Sequence, residues 1–98
     1  MFLFDFAESA QEALKKLKDS PDHVKQYKAV KEALRFLQSN PRHPSLETHK
    51  FHGAFSPQGQ DVFEAYAQQR TPSAYRIFFC YGPGRQIIQI LAIMPHPD

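Results

Sequence analysis

The run Tyr75-Arg76-Ile77-Phe78-Phe79 sets one arginine inside an otherwise apolar segment. A guanidinium buried without a partner is costly, so Arg76 either pairs with a carboxylate or faces a groove that receives an anion. Gly82-Pro83-Gly84 follows, then the apolar run Ile87–Met94, with His96 just beyond. Aromatic and β-branched runs on both sides of a Gly/Pro cluster read as antiparallel strands joined by a tight turn. The glycines do not make a phosphate loop, because neither the following helix nor its lysine is there.

Working outward, Val62–Gln68, Ala74–Tyr81 and Gln86–Met94 predict three successive antiparallel strands. Residues 2–6 predict a short strand whose alternation puts Phe2, Phe4 and Phe6 on one side. Ala10, Ala13, Leu14 and Leu17 recur at helical spacing, and Ser9 with Glu12 has the form of a capping box, although Ser9 also fits inside the helix. Ser20-Pro21 marks a stop and a restart. A second helix is expected from about Pro21 to Ser39, burying Val24, Tyr27, Val30, Leu34 and Leu37, with Asn40-Pro41 ending it. Residues 41–60, holding Pro41, Pro44, Pro57, Gly53 and Gly59, predict a long connection with one short extended piece around Thr48–Phe51. Connections of that length usually carry function.

The predicted architecture is α+β, a β-α-α-β-β-β chain. The helical pair packs on one face of a twisted, mostly antiparallel sheet, and the other face is a shallow groove. With 98 residues the chain is expected to form a single domain spanning 1–98, too short for a separate cofactor-binding half. Hydrophobic residues at 42% and charged ones at 22% exclude a disordered chain. Cys80 is the only cysteine, which excludes an intramolecular disulfide and makes a cytoplasmic protein the simplest reading. Met1-Phe2-Leu3-Phe4 is cut short by Asp5, so neither a signal peptide nor a membrane anchor is expected.

Charge is concentrated. Residues 15–50 hold nine Lys or Arg against four acids, a net +5, in a chain of overall +2. Such a basic helical half suits a polyanionic partner, and equally describes an ordinary solvated helix face.

The order strand, helix, helix, Pro-rich linker and three-stranded meander, with Tyr75-Arg76 opening the middle strand, resembles the RelE/ParE toxin superfamily. Asn40-Pro41-Arg42, the segment Leu46-x-x-His49-Lys50-Phe51-x-Gly53, Tyr75-Arg76-Ile77-Phe78-Phe79 and Ile93-x-x-His96 carry the resemblance over nearly the whole chain. It implies a toxin of a type II toxin–antitoxin pair, restrained by a cognate antitoxin. It also implies a metal-independent endonuclease that cuts mRNA on the ribosome, with no small-molecule cofactor. In that reaction a ribose 2′-hydroxyl attacks the adjacent phosphate, so the site needs a base, an acid and positive charge for the phosphorane.

The resemblance gives the charge-stabilising role to Arg76 and places His96 where some members protonate the departing 5′-oxygen. Two departures stand out. The tyrosine that follows the histidine in those members is replaced by Pro97, before Asp98, and the lysines some members carry on the first meander strand are replaced by Glu64 and Tyr66. Alternation puts Glu64 and Tyr66 on one face, opposite Phe63, Ala65 and Ala67. Glu64 is thus a candidate to orient Arg76 or act as base, and Tyr66 to stack a base or touch phosphate. A cross-strand Arg76–Glu64 ion pair that only satisfies both charges is the competing reading.

Arg42, His49, Lys50 and His52 are candidates for RNA contacts along the groove rim, with His49 an alternative base. The spacing of His43, His49 and His52 matches no strong metal-ligand pattern, so no metal is expected. This reading expects Arg76→Ala to abolish toxicity with little change in thermal stability. A ParE-type toxin acting on gyrase and a non-catalytic protein- or RNA-binding relative are the alternatives.

Overall fold

The computed structural model describes residues 1–96. Position 97, where the resembled family would place its tyrosine, lies outside the described residues. Five strands form one sheet: β1 (Leu3–Phe6), β2 (His49–Phe55), β3 (Asp61–Tyr66), β4 (Tyr75–Tyr81) and β5 (Ile87–Pro95). Their order is β1-β5-β4-β3-β2, with β1 parallel to β5 and the other neighbours antiparallel. Helices α1 (Glu8–Asp19) and α2 (Val24–Ser39) pack on one face, so the expected α+β architecture holds.

The helix ends follow the local chemistry. Ser20 ends α1, and Pro21 opens a single 3₁₀ turn, Pro21–His23, that leads into α2. The capping box does not form. Ala7 is the N-cap, Ser9 lies within the first turn, and its hydroxyl donates instead to the Leu91 carbonyl at 3.2 Å. Val24 is also exposed rather than buried, because it sits at the start of α2, before the helix reaches the sheet.

Alternation sorts the sheet into two faces. Ala65, Ile77, Phe79, Ile88, Ile90 and Ile93 meet Val30, Ala33, Leu34 and Leu37 of α2 and Ala10 and Leu17 of α1. Strict period-two alternation could not place Ile88, Ile90 and Ile93 on the same side. A bulge resolves this: Phe78 pairs with Ala92 but Phe79 with Ile90, leaving Leu91 as the extra residue. The bulge exposes the Leu91 carbonyl that Ser9 then satisfies.

The connection 41–60 is more ordered than its Pro/Gly content predicts. A 3₁₀ turn, Pro44–Leu46, drives Leu46 into the core, and His43 caps it by accepting a hydrogen bond from the Ser45 amide through Nδ1. The extended piece expected near Thr48–Phe51 is the start of a full strand, β2, paired with β3 in a shifted register. The meander therefore has four strands, and β2 is an edge.

Candidate functional site

The sheet face away from the helices carries the polar side chains. Register pairs Tyr66 with Arg76, Glu64 with Phe78 and Glu64 with His49, so these five side chains share that face. The Phe51 ring meets the Phe78 ring at 5.1 Å and joins them. At the far end the face is closed, because Gln60 and Gln89 cover Cys80, with Sγ–Oε1 separations of 3.8 and 3.5 Å. The exposed part of this face is thus the β2 edge, where His49 and Phe51 lie, while Glu64 and Arg76 are nearly covered.

Three ionisable groups form a chain across β2, β3 and β4. His49 Nε2 lies 2.8 Å from Glu64 Oε1, and Glu64 Oε2 lies 3.5 Å from Arg76 Nε. Arg76 Nη1 donates to the carbonyls of Gln68 and Ala74 at 3.1 and 3.2 Å. The Tyr66 ring stacks on the guanidinium at 3.9 Å, and His49 meets the same ring at 5.5 Å in a T-shaped contact. Glu64 and Arg76 side chains are 9% and 12% exposed, while that of His49 is 45% exposed.

Two details bear on chemistry. Arg76 Nε is buried yet makes no hydrogen bond, because the carboxylate beside it is too distant and poorly aligned. The second ring nitrogen of His49, Nδ1, faces the Glu47 carbonyl at 3.0 Å. The Glu47 carbonyl can only accept, so Nδ1 is the donor in that contact, while the Nε2–Glu64 contact is a hydrogen bond with the proton on either partner. The turn at Glu47, in the left-handed region with φ of 45°, aims that carbonyl at its own strand.

Arg76, Glu64, Tyr66 and His49 are thus brought together. His96 is tied to the same corner by its backbone, which donates to the Ala74 carbonyl at 2.8 Å, the same oxygen that Arg76 holds. Lys50 is not brought in. It alternates to the opposite side of β2 from His49 and lies 3.4 Å from Asp61. Arg42 lies near Tyr81, whose hydroxyl it acts on electrostatically, and Tyr81 belongs to the aromatic cluster of Phe2, Phe63 and Phe79 on the helix side. His52 is exposed on the edge strand. His43 stacks on Phe36 at 4.0 Å and serves the 3₁₀ turn, as a structural residue.

The cover over Arg76 also changes one expectation. Removing a side chain that is 12% exposed and paired with a buried carboxylate must cost stability, so Arg76→Ala is not a neutral probe. His49 carries more weight than its sequence context suggested. The signal that could have found it is the pairing of β2 with β3, which sets His49 opposite Glu64.

No group of three or more His, Cys, Asp or Glu side chains able to hold a metal occurs among the described residues. No helix among them is long and apolar enough to cross a membrane.

No protein-family model and no curated protein matches this sequence. Solved structures do. The RelE–RelB complex of Pyrococcus horikoshii OT3 contains a chain 18% identical, with TM-score 0.65 over 96% of this chain and 93% of that one. The YoeB/ParE toxin from Agrobacterium tumefaciens is 8% identical, with TM-score 0.72 over 99% and 100%. The intact RelBE toxin–antitoxin complex of E. coli contains a chain 15% identical, with TM-score 0.62 over the whole of both chains. Likeness over full length at such low identity speaks for architecture: this chain has the RelE/ParE-like toxin fold.

Proposed function

We propose that the chain is a toxin of a type II toxin–antitoxin pair, a ribosome-dependent endonuclease that cuts mRNA at the open face of its sheet. The observation that carries this reading is the chain His49–Glu64–Arg76 beneath Tyr66, whose outer member, His49, is 45% exposed at the β2 edge. An imidazole half open to solvent and backed by a buried carboxylate can exchange a proton with a ligand that reaches this edge.

In the proposed reaction the 2′-oxygen bonds to phosphorus and the phosphorus–5′-oxygen bond breaks, leaving a 2′,3′-cyclic phosphate and a 5′-hydroxyl. Arg76 supplies positive charge where the phosphorane forms. Glu64 holds His49 by Nε2, as a carboxylate orients an imidazole in other acid–base pairs, and leaves Nδ1 to exchange the Glu47 carbonyl for a substrate oxygen. Carrying hydrogen on Nδ1, His49 starts as the donor to the departing 5′-oxygen. His96 is then the acceptor of the 2′-hydroxyl proton. This exchanges the roles expected from the resemblance, in which His96 was the acid.

Neither step needs a metal or cofactor to move a proton. The partner proposed is an antitoxin that covers this face or the basic helices, since the P. horikoshii and E. coli neighbours are toxins solved with RelB. The low exposure of Arg76 favours one second reading, a non-catalytic relative in which Glu64 permanently satisfies the guanidinium. Expression in a bacterial host without an antitoxin separates the two. Growth arrest with new in-frame breaks in translated mRNA, relieved by His49→Gln, supports the nuclease. Normal growth with a folded wild-type protein supports the binding relative, and DNA damage with intact transcripts would point to gyrase instead.

A further inference from the structure

We infer that Phe51 is the nucleobase-stacking platform of this groove, taking one unpaired base of a single-stranded RNA. The inference deepens the ribonuclease reading and rests on it. Phe51 is 41% exposed on the edge strand β2, on the face that carries His49 and Phe78. Its interplanar angle of 77° to Phe78, at 5.1 Å, holds it tilted and ready, so little side-chain freedom remains to be lost on binding.

Position fits the reaction. Phe51 follows His49 by two residues on β2, and Phe78 follows Arg76 by two residues on β4, so each aromatic sits roughly 7 Å along the sheet from a group proposed to act on phosphate. Both offsets lie on the same face. A base next to the reacting phosphate would then reach Phe51 within one nucleotide. Met94, 46% exposed opposite Arg76, offers apolar surface on the other side.

Of the neighbouring basic groups, His49 shares this face and is held by Glu64, while Lys50 lies on the opposite side, paired with Asp61. Stacking accepts any base, since every base has a π-face.

The chain has no tryptophan, so Phe51→Trp installs a single reporter. Titration with a 2′-O-methyl oligoribonucleotide, which lacks the attacking hydroxyl, should quench that fluorescence in step with the anisotropy of a labelled oligonucleotide. In a cell-free translation extract, Phe51→Ala should cut a reporter mRNA at least about tenfold more slowly than wild type. Phe51→Tyr should cut within about threefold of it, since the ring is kept. Thermal melting of each variant shows that it is folded, and Phe51→Tyr keeps the test sound if Phe51→Ala is not.

Platform and nuclease fail separately. Wild-type cutting by Phe51→Ala, or an unmoved indole signal from Phe51→Trp while anisotropy reports a complex, overturns the platform alone. Absence of any cutting by the folded wild type in the translation extract overturns both.

Discussion

Replacing Glu64 by alanine tests the site's physical basis without reference to its activity. The carboxylate is 9% exposed and lies between His49 and a guanidinium that is 12% exposed. Removing one partner of a buried ion pair costs about 3–5 kcal/mol, because the other charge is left without compensation. Here Arg76 keeps two carbonyl acceptors and the Tyr66 ring, and half-exposed His49 can turn to water, so the lower part of that range applies. The expected loss is about 3–4 kcal/mol by urea unfolding. At ~4–8 °C per kcal/mol for a chain of this size, the thermal midpoint should fall by at least about 12 °C.

A second variant apportions that loss. Adding Arg76→Met to Glu64→Leu replaces both charges with apolar atoms of similar volume and should recover most of the stability. A double-mutant cycle between Glu64 and Arg76 should therefore show coupling well above the ~0.5 kcal/mol expected of independent sites. A loss below about 0.5 kcal/mol for Glu64→Ala, typical of exposed surface positions, would overturn the claim that the pair is buried and mutually dependent.

Three further outcomes are expected. Leu37→Ala empties a fully buried site between α2 and the sheet and should cost about 2–5 kcal/mol by the same urea assay. Lys50→Ala removes only an exposed pair with Asp61 and should change stability by less than about 1 kcal/mol. Burial pushes the Cys80 thiol and the Tyr81 phenol above their ordinary values of 9.0 and 10.0, so above those values the unfolded chain releases protons that the native state retains. Stability should thus be unaffected by these groups near neutral pH and fall as pH rises past about 9, and Cys80→Ala should remove the first part of that decline in a pH series of melts.

Much of the fold was legible because its signals are local. Helical spacing in 10–17 and 27–37, the breaks at Ser20-Pro21 and Asn40-Pro41, and the Gly82–Gly84 turn each act within a few residues. The fate of 41–60 was not legible. His49–Phe55 becomes a strand because β3 offers a free edge, and a run with Gly53 in its middle has no pattern that announces such a partner. The bulge at Leu91 was hidden for a related reason, since a continuous apolar run does not say which residue is left over.

Site residues divided the same way. The shared face of Glu64 and Tyr66 followed from alternation, and that of Arg76 from its register opposite Tyr66. The role of His49 depended on β2–β3 pairing, and the separation of Lys50 from it depended on the same register. The burial of Arg76 could not be foreseen, because it arises from the Gln68 and Ala74 carbonyls that the β3–β4 loop folds back around the guanidinium.

If the open sheet face, with His49 held by Glu64 beside Arg76, cuts RNA, the products must carry its signature. Mapping 5′ ends of cellular transcripts after induction reads that signature, with wild type and His49→Gln compared at equal levels of folded protein. Wild type should give new 5′-hydroxyl ends within translated codons, and His49→Gln should lose them by at least ~100-fold. An identical cleavage pattern in the two proteins, or intact transcripts in cells arrested by the wild type, would rule out this site as the seat of cleavage.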